Sequence, residues 1–256
     1  MARFVTKCFL ENTAKILLRG FDKMLKNGKI RIVLSKMKRI KFLDCKIDFR
    51  NQVFRPRVET EFWVKKSLKE LTEVRPLSVL DIFSGTGCIG ISVLKNIKNS
   101  FVDFVDIEDA AIKQIKINLK LNNISKKRYK IYKSNLFEKL RAKSGRSSSS
   151  RCDSIYDVIF ANPPYVALDR ISEVQKEVLE KDPHVSLFAG KDGMDYIRRF
   201  FIQVKEFLEP NGKIFLEFDP FQKKKIKEIL EKEKFKFIFK KDQFGKFRWL
   251  KAEIKK

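Results

Sequence analysis

The sequence predicts an α/β fold: a mostly parallel sheet covered by helices on both faces, with antiparallel strands at its carboxyl-terminal end. Three observations predict it. From Glu59 onward, short apolar runs alternate with amphipathic stretches at helical spacing. Those runs ("SVLDIF", "FVDFVDI", "YKIYKSNLF", "YDVIFANPP", "GKIFLEFD") are nearly continuous in apolar residues, as strands buried on both faces require. The tail "FKFIFKKDQFGKFRWLKAEI" reads as two further strands joined by a turn around Gly245, too close in sequence for a parallel crossover.

Ahead of this unit, residues 1–37 read as a short helical segment. Ile16, Leu17, Phe21, Met24 and Leu25 fall at helical spacing. Residues 38–58 alternate as strands do ("IKFLDCKIDF", then "QVFRPRV") and predict a β-hairpin linker. Residues 59–256 form the main domain. The stretch "KSGRSSSSRC", residues 143–152, has nothing with which to fill a core and is expected to be a mobile surface loop between two strands.

Composition narrows the function classes. Of the 256 residues, 43% are hydrophobic and 35% charged, a globular balance. No apolar run approaches the roughly 18–20 residues of a membrane span, and the amino terminus lacks the apolar core of a cleaved signal peptide. The cysteines, Cys8, Cys45, Cys88 and Cys152, have no metal-ligand spacing. The sole histidine, His184, reads as an ordinary loop residue. A zinc site and a Ser-His-Asp triad are therefore not expected, and scattered thiols fit the cytoplasm. The formal net charge of +25 suits work near RNA, ribosomes or DNA. Lysine is enriched throughout the chain, however, and that bias alone would give the same charge.

The chemistry lies at strand ends. In "SVLDIFSGTGCIGISVL" an apolar strand ends at Asp81, glycines follow and a helix begins. Glycine lets backbone approach a ligand, and the helix start offers free N–H groups. Gly85, Gly87 and Gly90 match the dinucleotide spacing G-x-G-x-x-G. A carboxylate at Asp81, however, would repel a pyrophosphate and attract an amine. Asp106 ends the next strand, where it can accept from both hydroxyls of a ribose. A ligand with an amine, a ribose and no phosphate is S-adenosylmethionine. Asn135, after a third strand, can pair with an adenine edge, or be a plain turn residue.

The run "ANPPY" ends a fourth strand. A planar amide or aromatic amine is a poor nucleophile because its lone pair is delocalised. The Asn162 side-chain oxygen and the Pro163 carbonyl can accept the two N–H groups of a substrate –NH2, aiming its lone pair at an electrophilic methyl. Pro163 and Pro164 stiffen the turn, and Tyr165 offers a flat face to a planar group. No general base is needed beforehand, because the proton can leave after the methyl arrives.

With these motifs the sequence resembles the HemK/PrmC family, the peptide chain release factor glutamine methyltransferases. The "NPPY" run with the glycine loop is shared by S-adenosylmethionine-dependent amino-methyltransferases generally. "VFRPRVETE" (53–61) resembles the family's V-L-I-P-R-P-E-T-E, and "DPHVSLFAGKDGMDYIRRF" its E-P-x-x-A-L-x-G-G-x-D-G-L-x-x-Y-R segment. "GKIFLEFDPFQ" resembles its G-x-L-x-x-E-I-G-x-x-Q, and "KDQFGKFRWLKA" its final K-D-x-x-G-x-x-R. The match runs from about residue 40 to the end.

The resemblance implies a Rossmann-like, seven-stranded S-adenosylmethionine-dependent methyltransferase sheet and methyl transfer to the side-chain amide N5 of a glutamine, in the Gly-Gly-Gln motif of a release factor. It implies a cofactor set of Asp81, Phe83, Ser84, Gly85, Thr86, Gly87, Asp106, Ile107, Asn135, Leu136 and Asn162. It makes Asn162, Pro163, Pro164 and Tyr165 the catalytic group. Arg57, Glu59 and Thr60 would join Asn162, Pro163 and Tyr165 around the substrate. No metal and no membrane partner are expected.

Three positions depart from the family pattern. Phe83 replaces the first glycine of D-x-G-x-G-x-G, which leaves the path of the loop open. Val58 replaces the second proline of P-R-P-E-T-E, and Asn135 stands where many relatives have Asp. About 37 residues precede the hairpin, where the family carries a longer helical domain. A nucleic-acid amino-methyltransferase, a ribosomal-protein glutamine methyltransferase and a basic RNA-binding protein on an inactive methyltransferase fold are the alternatives.

Overall fold

The structure is a computed structural model, and it describes residues 39–51, 53–71, 76–141, 156–173 and 186–255. The amino-terminal helical segment, the serine-rich stretch and His184 lie outside the described residues.

A two-stranded hairpin comes first, β1 (Arg39–Phe42) and β2 (Cys45–Asp48). It is tighter than the alternation predicts: both strands lie in "RIKFLDCKID", and residues 53–57 form no strand. Leu43 takes a positive φ of 49° in the connecting turn. Helix α1 (Val58–Lys69) follows, then the expected alternation of β3 (Leu77–Ile82), α2 (Cys88–Asn96), β4 (Ser100–Asp106), α3 (Asp109–Leu121), β5 (Tyr129–Lys133), α4 (Glu138–Arg141) and β6 (Tyr156–Ala161). Helix α5 (Asp195–Gln203), β7 (Leu208–Glu217), α6 (Lys223–Lys232), β8 (Phe235–Lys241) and β9 (Phe247–Ile254) follow among the described residues.

Strands β3 to β9 form one seven-stranded sheet in the order β5-β4-β3-β6-β7-β9-β8. The first five in chain order pair in parallel, and β9 runs antiparallel to both β7 and β8. The turn between β8 and β9 holds Gly245 at φ 79°, as the sequence predicts. The chain builds outward from β3 to β4 and β5, then returns to β6 on the other side of β3. That reversal opens a crevice at the carboxyl ends of β3 and β6, where open α/β sheets bind ligands.

Alternation along β3 decides which side chains look where. Leu80 and Ile82 join the apolar layer that includes Ile159, Ala161, Met194, Ile197 and Phe200, on the α5 and α6 face. Asp81 points the opposite way, toward α2. On that second face Trp63 of α1 stacks against Phe160 and Trp249, each at 6.1 Å between ring centroids. Burial of large rings on both faces makes the sheet a rigid platform for the loops at its carboxyl edge.

The hairpin is fixed to the sheet by an amide ladder. Gln114, Asn118 and Asn122 lie four residues apart along one face of α3 and its cap. The Asn118 side chain accepts from the Asp48 N–H at 2.8 Å and donates to the Asp48 carbonyl at 2.8 Å. Asn122 does the same for Lys46, at 3.0 and 2.8 Å. Gln114 accepts from the Asn51 N–H at 3.1 Å. The helix thus presents carboxamides where β2 needs a neighbouring strand, satisfying buried backbone groups that would otherwise be costly.

Candidate active site

The loop after β3 is stitched to β4. The Ser84 N–H donates to the Val105 carbonyl at 3.1 Å, and its hydroxyl accepts from the Val105 N–H at 3.0 Å. Gly85 and Gly87 take φ values of 53° and 75°, and Gly87 caps α2. Phe83, where the family has glycine, also takes a positive φ, 61°. The backbone keeps the glycine path despite the side chain, at about 1–2 kcal/mol of local strain. The Phe83 ring meets Tyr196 edge-on, with centroids 5.8 Å apart. Gly90 is needed for another reason: a Cβ there would lie 2.4 Å from the Phe104 ring, so the glycine lets α2 press on β4.

The two acids differ. Asp106 lines a cavity of about 260 Å³ at the carboxyl edge of the sheet. Its Oδ2 accepts from the Gly85 N–H at 2.8 Å, and its Oδ1 from the Glu108 N–H at 2.9 Å. Each oxygen keeps a lone pair for a further donor, so the carboxylate is aimed before any ligand arrives. Burial raises its pKa above the ordinary carboxylate value, opposed by those backbone donors.

Asp81 sits behind the cavity wall. It is fully buried, its Oδ2 accepts from the Gly90 N–H at 2.9 Å, and its Oδ1 has no partner among the described residues. Burial pushes its pKa well up. Strand alternation is the cause: Ile82 reaches the cavity, and its neighbour Asp81 must face α2.

The same cavity is lined by Phe83, Ser84, Thr86, Ile107, Asn135, Leu136, Asn162, Pro163, Pro164 and Tyr165, and by Arg57 and Thr60 from the start of α1. Gly85, Gly87, Asp81 and Glu59 do not line it. Asn162 and Pro163 follow Ala161, the register partner of Ile82. The Asn135 amide is partly engaged: it donates to Glu138 at 2.9 Å and accepts from Arg199 at 3.0 Å, leaving one N–H and one lone pair. Among the described residues no group of His, Cys, Asp and Glu could hold a metal, and no helix is long and apolar enough to cross a membrane.

Sequence reasoning missed Phe54, Pro56 and Tyr196 as cavity walls, and Glu217 as a residue tied to the site. Glu217 is 1% exposed and accepts from Thr60 Oγ1 at 2.7 Å, Trp63 Nε1 at 2.6 Å and Tyr165 Oη at 3.2 Å. The available signal was an acid ending an otherwise apolar strand, the feature that drew attention to Asp106.

A sheet in this order, with a glycine loop after its first strand and an aimed acid after its second, defines the S-adenosylmethionine-dependent methyltransferases. The family model described as methyltransferase small domain matches residues 64–185. A crystal structure of ribosomal protein L11 methylase from Lactobacillus delbrueckii subsp. bulgaricus shares the fold, with TM-score 0.58 and 19% identity over 82% of this chain and 84% of that one. A release factor glutamine methyltransferase of Streptococcus pneumoniae is 35% identical over 209 residues, covering 80% of this chain and 68% of the relative. Its counterpart in Flavobacterium psychrophilum is 31% identical over 205 residues, covering 78% and 67%. The chain belongs to the release factor glutamine methyltransferase family.

Proposed function

We propose that this chain transfers a methyl group from S-adenosylmethionine to the side-chain amide nitrogen of a glutamine, in the Gly-Gly-Gln motif of a peptide chain release factor. One observation carries the reading: Asn162 and Pro163 open onto the same cavity as Asp106, across the Ile82–Ala161 register. Residues 59–256 would carry the reaction, with 38–58 as linker, and a release factor substrate assigns the work to the cytoplasm.

The residues fit the cofactor. Asp106, already held by two backbone donors, accepts from the ribose hydroxyls. Asn135, Ile107 and Leu136 line the adenine end. Phe83, Ser84 and Thr86 wall the methionine end, with Gly85 and Gly87 setting the path of the loop. Asp81 lies behind that wall, with one carboxyl oxygen left without a partner among the described residues. When bound, the cofactor supplies a methyl carbon made electrophilic by its sulfonium.

The chain's part is orientation. The Asn162 Oδ1 and the Pro163 carbonyl each accept one N–H of the glutamine amide, so the nitrogen lone pair faces the methyl. Pro164 stiffens the turn, and the Tyr165 ring supports the amide plane. Burial and the Glu217 charge raise the Tyr165 pKa, so its hydroxyl stays protonated and does not act as a base. Arg57 and Thr60 line the mouth, with Glu59 beside them. A metal has no step in this scheme.

Incubation with labelled cofactor, a release factor and RNA together tests the reading. Label on the release-factor glutamine is the expected result. Label on RNA alone would favour the nucleic-acid amino-methyltransferase, the reading that the net charge of +25 supports.

A further inference from the structure

Two residues, one at the end of β7 and one in the turn that follows it, hold Tyr165 from behind, and neither lines the cavity. Glu217 Oε1 accepts from the Tyr165 hydroxyl at 3.2 Å, while its Oε2 is occupied by Thr60 and Trp63 of α1 at 2.7 and 2.6 Å. Five residues on, the Gln222 side chain donates to the Tyr165 carbonyl at 3.1 Å and to the Gly193 carbonyl at 2.6 Å. The Gln222 oxygen is itself held by the Asp219 N–H at 2.9 Å, within a capping box that starts the turn into α6. Gly193 completes the packing: at φ +74° its missing Cβ leaves room for the Tyr165 carbonyl, which a methyl group would approach to 2.4 Å.

We propose that Glu217 and Gln222 form a two-point brace that sets the orientation of the Asn162–Tyr165 loop, making them positioning residues for amide methylation that do not contribute to cofactor binding. The proposal rests on the methyl-transfer reading above. Its physical basis is the cost of the arrangement. A fully buried carboxylate is expensive, and an apolar residue of like size is often no less stable. The three donors to Glu217 offset that cost, and they join α1, β7 and the Tyr165 loop at a single carboxylate. One brace point grips the tip of the Tyr165 side chain and the other its backbone carbonyl, so the ring is held and, through the stiff Pro164, the path of the chain back to the Pro163 carbonyl is restrained. Of the two acceptors on the substrate amide, the Pro163 carbonyl belongs to the backbone and has no rotamer of its own. Its aim therefore depends on how firmly the loop is held.

The experiment compares wild type with Tyr165→Phe, Gln222→Leu, Glu217→Gln and the double variant Tyr165→Phe/Glu217→Gln. Cofactor affinity is read by titration calorimetry, kcat and KM are measured on whichever acceptor the wild type methylates, and hydrogen exchange is followed in the segment 161–167. The brace predicts cofactor affinity within about threefold of wild type and kcat lower by about tenfold or more in Gln222→Leu and Glu217→Gln. It predicts a double variant little worse than Glu217→Gln alone, because both changes abolish the same charge-assisted bond from the Tyr165 hydroxyl. It also predicts faster exchange in 161–167 with α2 unchanged. Tyr165→Phe and Gln222→Leu probe the two ends separately, so the test stands even if Glu217→Gln does not fold. Equal kcat in both, or cofactor affinity falling in step with kcat, overturns the brace. If the wild type methylates no acceptor, the function reading fails alone, and unchanged exchange in both single variants overturns the brace.

Discussion

Ile82 and Ala161 are register partners on adjacent parallel strands, so the loops that leave them, one toward Gly85 and the other toward Asn162, emerge side by side. The crevice exists because β4 and β5 extend the sheet on one side of β3 while β6 and β7 extend it on the other. The loops after β3 and β6 are thus held at a spacing set by sheet geometry.

The proposed clamp gives Asn162, which lines the cavity, a part in the reaction. Asn162→Ala is expected to leave cofactor affinity nearly intact and to lower turnover by well over about tenfold, since one of two amide acceptors is gone. Turnover within tenfold of wild type in a steady-state assay would reject the clamp.

Asp106 should behave in the opposite way. Asp106→Ala removes the acceptor that Gly85 and Glu108 hold in place. Cofactor affinity is expected to fall by about 10- to 100-fold, the range of a charge-assisted hydrogen bond. Thermal shift gives a second measure: at 100 times the dissociation constant, a ligand stabilises wild type by about 2.7 kcal/mol. That shift should fall to about 0.4–1.4 kcal/mol in the variant at the same cofactor concentration, and unchanged affinity would reject the ribose role.

The amide ladder bears on stability. Asn118→Ala leaves the Asp48 N–H and the Asp48 and Thr86 carbonyls without their partner. A loss of about 1–3 kcal/mol is expected in urea unfolding. An exposed helix position such as Lys116 changed to Ala should cost under about 0.5 kcal/mol, and equal losses at the two sites would contradict the ladder.

Asp192 ties α5 to α6 through Arg198 and Lys225, at 2.5 and 2.8 Å. The Arg198 guanidinium, then Lys225 and the Met194 N–H, hold its carboxyl below the usual range against a smaller desolvation effect. A depressed folded pKa means stabilisation that is full above the unfolded value, about 3.9, and is lost as pH falls toward the folded one. Asp192→Asn should lower Tm at pH 7 by about 2–4 °C, for a partly exposed pair worth about 1 kcal/mol or less. The gap from wild type should shrink below about pH 4; a gap independent of pH would reject the ionic account.

Much of this was legible in residue order. The β/α alternation, the antiparallel tail with its Gly245 turn and the strand-end motifs depend on periods of two and 3.6 residues, which are local properties of the chain. Asp106 was legible for the same reason, because it ends its strand and must emerge at the sheet edge. Asp81 reads as the last residue of its strand, and β3 ends one residue later, at Ile82. The side of the strand it occupies depends on where the strand's alternation meets α2, and no local pattern states that.

The sequence by itself determined the β/α alternation of the main domain and its antiparallel tail, because hydrophobic period, glycine and proline act over a few neighbouring residues. Only the tertiary structure decided that Glu217 grips Tyr165, that Phe83 keeps a glycine-like backbone, and that three amides of α3 stand in for a strand beside the hairpin. Each of these joins residues through strand order and register, and those follow from packing the whole sheet at once.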